Sequence, residues 1–395
     1  MTDLPGWLKD AALQQFFAAA QKDGGELRAV GGCVRDFLMG RTVRDVDFAT
    51  TLPPERITQV AQAQGWKVVP TGIAHGTVTV ILPSSRPVEV TTLRRDVETD
   101  GRHARVEYTD DFEEDASRRD FTINALYMDA QGRISDFFGG RQDIKTQQLR
   151  FIGDADRRIE EDGLRILRYL RFLAQFSWKA EPAARAACKS HLAMLDGLSG
   201  ERIAQEMKKL LAAPNPSYAL EQMDKMDMPE HLATGSHWEV GKLKGLLQLE
   251  AKYNIKAHPL ARLAVMLTSQ GRAKFPMAIA ERWKLSRADQ DLLRYLCEPH
   301  EAPDEKLVKQ WLCKQPSRDW VIWRVLFNAA RAGDPLAGPL EVARTWPVPP
   351  FPVTAKDLLK LGMTEGPEVG ARMRAMEKRW MESDYTLDKK ELLEG

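Results

Sequence analysis

The chain has 395 residues, 43% of them hydrophobic and 29% charged, the balance of an ordinary globular protein with room for about two to four domains. Its formal net charge of +1 gives no bulk basic excess, so any surface for nucleic acid has to come from local clustering. The four cysteines, Cys33, Cys188, Cys297 and Cys313, form no CxxC pair, which excludes a cysteine-based zinc site and fits a reducing compartment.

The first segment, 5–21, reads as one amphipathic helix carrying Trp7, Leu8, Leu13, Phe16 and Phe17. A strand is expected over 26–31, a short helix from Val34 to Met39, and a second strand from Asp45 to Thr51. Pro53 and Pro54 open a helix to about Gln64, proline being favoured in a first turn. From Trp66 to Arg94 short β-branched runs alternate with Gly72, Gly76 and Pro83, the pattern of adjacent strands with tight turns. Residues 95–110 are charged and poorly periodic and read as a mobile loop containing His103, with His75 in another loop. A helix over Asp110–Arg119 and apolar runs at 121–129 and 133–138 complete an α/β head. After about Gly140 the apolar spacing turns helical, first from Asp154 to Phe176 and then from Gly200 to Ala213, and stays so to the end. The expected domains are a head over 1–140, a helical neck over 141–212 and a helical body and tail over 213–395.

Chemistry is concentrated in a few stretches. In GGCVRDFLMGRTVRDVDFATT (31–51), Asp45 and Asp47 share one face if their segment is a strand, and paired carboxylates suit a hard divalent cation. Gly31 and Gly32 lack a Cβ and let backbone approach a phosphate, with Arg35 placed to grip it. Asp36 reads as structural, a cap or a partner for an arginine such as Arg41. Glu89 is a candidate third carboxylate if its strand lies beside that of Asp47. Arg118, Arg119 and Asp120 precede an apolar segment, where an arginine would face a triphosphate and Asp120 a ribose hydroxyl. In EEDGLRILRYLRF, Asp162, Arg165, Arg168 and Arg171 recur every third residue, a rail for an anion that begins with a carboxylate. Asp162 accepting from an exocyclic amino group, and Arg165 donating to the adjacent ring nitrogen, would suit cytosine and adenine and mismatch guanine and uracil. Gly163, read as lying within this helix, signals close packing or a local deformation.

These stretches, with SDFFGGRQDIKTQQLRFIGD and SGERIAQEMKKLL, resemble in order and spacing the class II tRNA nucleotidyltransferase and bacterial poly(A) polymerase family across roughly residues 27–212. The resemblance implies an α+β fold, with a polymerase-β-like nucleotidyltransferase head of mixed sheet and helices followed by an all-helical neck, body and tail. It implies addition of C and A to the tRNA 3′ end from CTP and ATP on Mg²⁺, with tRNA as partner. Matched residue by residue, it puts the metal on Asp45 and Asp47 and the phosphate on Gly32 and Arg35. It puts Arg119 and Asp120 at the sugar and phosphates, Asp162, Arg165, Arg168 and Arg171 at the nucleotide, and a flexible loop at 95–110. At Gly163 relatives often carry proline or another residue.

The alternatives within the family are a poly(A) polymerase or a partial enzyme that adds only CC or only A. A different class, a non-catalytic RNA-binding relative, is disfavoured by the intact carboxylate pair and arginine rail. The sequence has no bilayer-length apolar run, no evident obligatory protein partner and no leader-like start, so a cytoplasmic location is expected.

Overall fold

The computed structural model describes residues 4–73, 76–99, 104–233, 238–267, 275–298, 301–333 and 336–394, with the side chains of 96–106 and 275 outside the description. His75 and His103 therefore lie outside the described residues. The chain forms two compact units, Met1–Leu232 and Ala233–Gly395. Among the described residues no helix is long and apolar enough to cross a membrane.

The first unit is built on a seven-stranded mixed sheet. Its strands are β1 (Leu27–Val30), β2 (Asp47–Thr50), β3 (Lys67–Gly72), β4 (Thr77–Ile81) and β5 (Pro87–Thr92), with β8 (Leu126–Met128) and β9 (Ile134–Asp136) following a separate two-stranded sheet. The order is β3-β4-β5-β2-β1-β8-β9, and only β2 and β5 run parallel. Period-two alternation divides the sheet's labour. Phe48, Val78, Val80, Val88 and Val90 point into a large core shared with α1 (Ala11–Lys22) and α3 (Pro54–Ala63). There Phe16 meets Trp66 edge-on at 5.5 Å and Phe17 meets Phe48 at the same distance. Burial of each such side chain contributes about 1.5–3 kcal/mol. The alternate residues Asp47, Glu89, Thr77 and Thr91 fall on the other face, which those helices leave uncovered. A smaller core of Val30, Ala49, Phe112 and Tyr127 supports that face.

Several boundaries differ from the sequence reading. Segment 5–21 is a 3₁₀ turn (Gly6–Lys9) and then α1, because the Asp10 side chain accepts from the amides of Ala12 and Leu13 and starts a new helix. Helix α2 (Gly32–Leu38) begins at the second glycine rather than at Val34. Strand β2 begins at Asp47, which leaves Asp45 in the lead-in segment rather than in the ladder. Within the stretch expected as a loop, the described residues form two strands, β6 (Arg94–Thr99) and β7 (Ala104–Tyr108), which make a two-stranded antiparallel sheet. Helix α4 (Phe112–Ser117) is capped by Asp111.

Beyond the sheet come α5 (Gly140–Thr146), α6 (Ala155–Glu161), α7 (Leu164–Phe176), α8 (Pro182–Ser190), α9 (Gly200–Ala212) and α10 (Ser217–Lys225). The stretch from Asp154 to Phe176 is thus two helices, broken at Asp162-Gly163. Asp162 is extended (φ −158°, ψ 105°), and its Oδ1 accepts from the Leu164 amide at 3.1 Å. Gly163 has φ −57°, which would suit proline, but a Cβ there would lie 2.8 Å from Met194 Cβ and 3.3 Å from the Met194 carbonyl oxygen. Close packing at the junction, not deformation within a helix, explains this glycine. Helix α7 buries Ile166, Leu167, Leu170 and Leu173 and packs on α9 and α10.

The second unit is helical throughout its described elements. Arg262 and Glu250, both buried, pair at 2.6 Å, and the Arg324 guanidinium lies 4.2 Å from the Tyr295 ring and 4.5 Å from the Trp311 ring. A further core near its C-terminal end gathers Val353, Leu358, Met376, Trp380 and Leu392.

Candidate active site

A cleft of about 1540 Å³ in the first unit is lined by all eleven residues singled out from the sequence: Gly32, Arg35, Asp45, Asp47, Glu89, Arg119, Asp120, Asp162, Arg165, Arg168 and Arg171. Ten basic side chains face six acidic ones there, so a nearly neutral chain carries a locally cationic cleft. Such clustering of one charge sign suits an anionic ligand.

One wall is the turn between β1 and α2. Gly31 sits at φ +73°, a backbone conformation that favours glycine, and its amide donates to the Leu126 carbonyl at 3.0 Å. Beside it, Asp47 and Glu89 are in-register neighbours on the parallel strands β2 and β5, so both carboxylates emerge from the same face. The condition attached to Glu89, adjacency of its strand to that of Asp47, is met. Burial, then Glu89, then Asp45 push the Asp47 carboxyl up to about 6 against the opposing pull of Arg119. Mutually repelling carboxylates of this kind suit a divalent cation. Among the described residues no group of three or more His, Cys, Asp or Glu side chains converges as a ready-made metal cage. The donor chemistry fits an ion held by one or two carboxylates and completed by substrate phosphates.

The arginines are held, each in its own way. Arg35 is buried; its Nε donates to Asp36 Oδ1 at 2.8 Å and its Nη1 to Asn124 Oδ1 at 2.6 Å. Asp36 therefore pairs with Arg35 and not with Arg41, whose Nη1 reaches the Gln175 carbonyl instead. Arg119 gives Nε and Nη2 to Asp115 Oδ2, at 3.2 and 3.0 Å, and its Nη1 lies 3.7 Å from where a Cβ on Gly31 would be. Asp115 is 1% exposed and also takes Arg118 and the Tyr127 hydroxyl. Burial would raise its carboxyl, but Arg119 and Arg118 outweigh burial and hold it down to about 2. Asp120 accepts from Arg168 Nε at 2.7 Å and Asn124 Nδ2 at 3.1 Å; despite burial, Arg168 and Asn124 lower its pKa. Arg171 lies 3.0 Å from Glu206 and 4.1 Å over the Phe172 ring.

Asp162 and Arg165 are not arranged as an intrahelical ion pair. Asp162 precedes α7 and is gripped by Arg202 of α9 at 2.7 Å, whereas Arg165, the second residue of α7, donates to Glu161 at 2.6 Å and to the Arg118 carbonyl at 3.2 Å. Each member has its own support, so the two need not neutralise each other across the cleft.

Sequence reasoning missed Asp115, Asn124, Arg202 and Glu206. Asp115 alone left a local trace, lying three and four residues before Arg118 and Arg119 on a helix. Asn124 also bonds Asp120 four residues back, but it meets Arg35, as Arg202 and Glu206 meet their partners, only through the fold.

The chain resembles known proteins in sequence and in fold. Residues 27–150 match the family model described as "Poly A polymerase head domain", and residues 179–234 match "Probable RNA and SrmB-binding site of polymerase A". The CCA tRNA nucleotidyltransferase 1, mitochondrial, of Danio rerio is 36% identical over 385 residues, spanning 94% of this chain and 87% of that protein. Its Homo sapiens counterpart is 32% identical over 387 residues, spanning 94% and 86%. The solved CCA-adding enzyme of Bacillus stearothermophilus in complex with CTP superposes with a TM-score of 0.75 at 27% identity, covering 94% of this chain and 93% of that one. The chain belongs to the family of CCA tRNA nucleotidyltransferases and poly(A) polymerases. It is a nucleotidyltransferase, and enzymes of this family use divalent metal ions.

Proposed function

We propose that this protein adds C and A to the 3′ end of tRNA from CTP and ATP, without a nucleic-acid template. The observation that carries the reading is that carboxylates fit for a metal and a separately braced Asp162 and Arg165 line one cationic cleft. The names of the relatives, CCA tRNA nucleotidyltransferase and CCA-adding enzyme, support it.

Asp45 and Asp47, with Glu89 alongside, would hold Mg²⁺. Metal held there would supply the positive charge that activates the attacking 3′-hydroxyl and stabilises the departing pyrophosphate. The chain's own groups position and screen the nucleotide. Gly31 and Gly32 keep the wall open to phosphate, and Arg119 presents Nη1 beside them. Arg35, its fork taken by Asp36 and Asn124, adds positive potential from below. Asp162 accepts from the amino group of cytosine or adenine while Arg165 donates to the ring nitrogen, and a carbonyl beside a ring N–H meets neither. Rate then derives from orientation and charge stabilisation, with no covalent intermediate on the protein.

The proposed division of labour is a head over 1–140, a neck over 141–212 that reads the base, and a body and tail over 213–395 that hold tRNA. A cytoplasmic or other reducing compartment is proposed on the four unpaired cysteines. The decisive assay gives the purified protein a tRNA ending in the discriminator base, with CTP and ATP singly and together, and sizes products to one nucleotide. Growth by three residues with both nucleotides supports the reading; long A tracts, CC alone or A alone would reassign it within the family, and no extension overturns it.

A further inference from the structure

Asp115 is the most heavily bonded carboxylate beside the cleft, yet it does not line the cleft itself. Its Oδ1 accepts from Arg118 Nε at 3.0 Å and Nη2 at 2.5 Å and from the Arg94 amide at 3.4 Å. Its Oδ2 accepts from Arg119 Nε at 3.2 Å, Arg119 Nη2 at 3.0 Å and the Tyr127 hydroxyl at 2.7 Å. A surface ion pair at this helical spacing is worth little. Burial to 1% exposure, and a hydroxyl arriving from β8, make this a fixed mount rather than a solvated pair.

The consequence falls on Arg119. A guanidinium has five N–H donors in a rigid fork. Asp115 takes one edge, Nε with Nη2, and Tyr127 Oη shares the Nε proton at 3.1 Å. The remaining Nη1 is thereby directed toward the Gly31 turn, and the same guanidinium acts on the charge of Asp47. On the proposed function, that corner is where the triphosphate lies. We propose that Asp115, seconded by Tyr127, is a positioning residue that aims Arg119 at the phosphates of the incoming nucleotide.

The inference rests on the functional reading above, so its test includes binding as well as turnover. Asp115→Asn keeps the size and removes the charge; Tyr127→Phe removes one donor and leaves the carboxylate in place. CTP and ATP dissociation constants are measured by titration in the presence of Mg²⁺, alongside KM and kcat on tRNA. The expected result is a rise of about tenfold in Kd and KM for both nucleotides in Asp115→Asn and about two- to threefold in Tyr127→Phe, with kcat changed less and tRNA affinity unchanged. In an Arg119→Lys background, Asp115→Asn should add less than about twofold, because it acts through Arg119. Unchanged nucleotide Kd in variants that merely melt earlier, or effects of Asp115→Asn and Arg119→Lys that multiply, would overturn the proposal. If Asp115→Asn does not fold, Tyr127→Phe decides alone. A wild-type protein that binds nucleotide but extends no tRNA refutes the functional reading, and the Kd series still judges Asp115.

Discussion

Asp47 and Glu89 stand side by side on the two parallel strands of an otherwise antiparallel sheet, with Asp45 just upstream on the incoming chain. Parallel pairing in register is what aligns two carboxylates on one face; a shift of one residue would send Glu89 into the core occupied by Val88 and Val90. Replacing Asp45 and Asp47 together by alanine is expected to reduce incorporation by more than about a thousandfold while tRNA affinity changes less than about threefold. Single-nucleotide extension assays and filter binding would measure the two. Residual incorporation near wild type would remove the metal assignment.

The Asp47 carboxyl, raised from 3.8 to about 6, makes a prediction about pH. A carboxyl raised in the folded state costs stability once ionised, so the cost is absent below about pH 4 and complete above about pH 6. Asp47→Asn should therefore raise the melting temperature of metal-free protein at pH 8, with the gain vanishing toward pH 4. Divalent ion should cancel the difference at pH 8. A gain independent of pH would mean that packing, not charge, is responsible.

Asp162 and Arg165 are expected to govern nucleotide choice rather than folding. Alanine at either should narrow the preference for CTP and ATP over UTP and GTP by about 10- to 100-fold, the range of one or two lost polar contacts. Arg202→Ala should do the same more weakly, since it frees Asp162 from its 2.7 Å partner. Competition assays with all four nucleotides provide the measurement; unchanged ratios would rule out this pair as the base reader.

Gly163→Ala would ordinarily favour a helix. Here the new methyl would meet Met194 Cβ at 2.8 Å and its carbonyl oxygen at 3.3 Å, so a loss of about 1–3 kcal/mol is expected in denaturant unfolding. Because backbone and Cβ form the obstacle, trimming Met194 to alanine should not restore stability.

Much of this was legible in the sequence because local pattern and fold agree. Alternation from Trp66 to Arg94 revealed β3, β4 and β5, and the carboxylates and arginines lay in stretches whose order is distinctive. The break at Asp162-Gly163 was hidden because the apolar positions Ile159, Leu164, Ile166 and Leu167 keep helical spacing across it. Strands β6 and β7 were read as a loop because the stretch is densely charged and lacks regular apolar alternation. The bond of Asn124 to Arg35, across 89 residues, and that of Glu206 to Arg171, between separate helices, are contacts that spacing does not show.

The crowding of Arg35, Arg168 and Arg171 has a thermodynamic side. Burial, and then the neighbouring guanidiniums Arg168 and Arg35, lower the Arg171 pKa to about 10 even though Glu206 and Asp120 oppose them. Burying the Arg171 charge thus comes at the expense of folding free energy, and an anion held in the cleft offsets part of that cost. Nucleotide becomes part of what keeps this unit folded: at a hundred times its Kd it adds about 2.7 kcal/mol. Thermal unfolding in cells would then follow the supply of CTP and ATP as well as temperature.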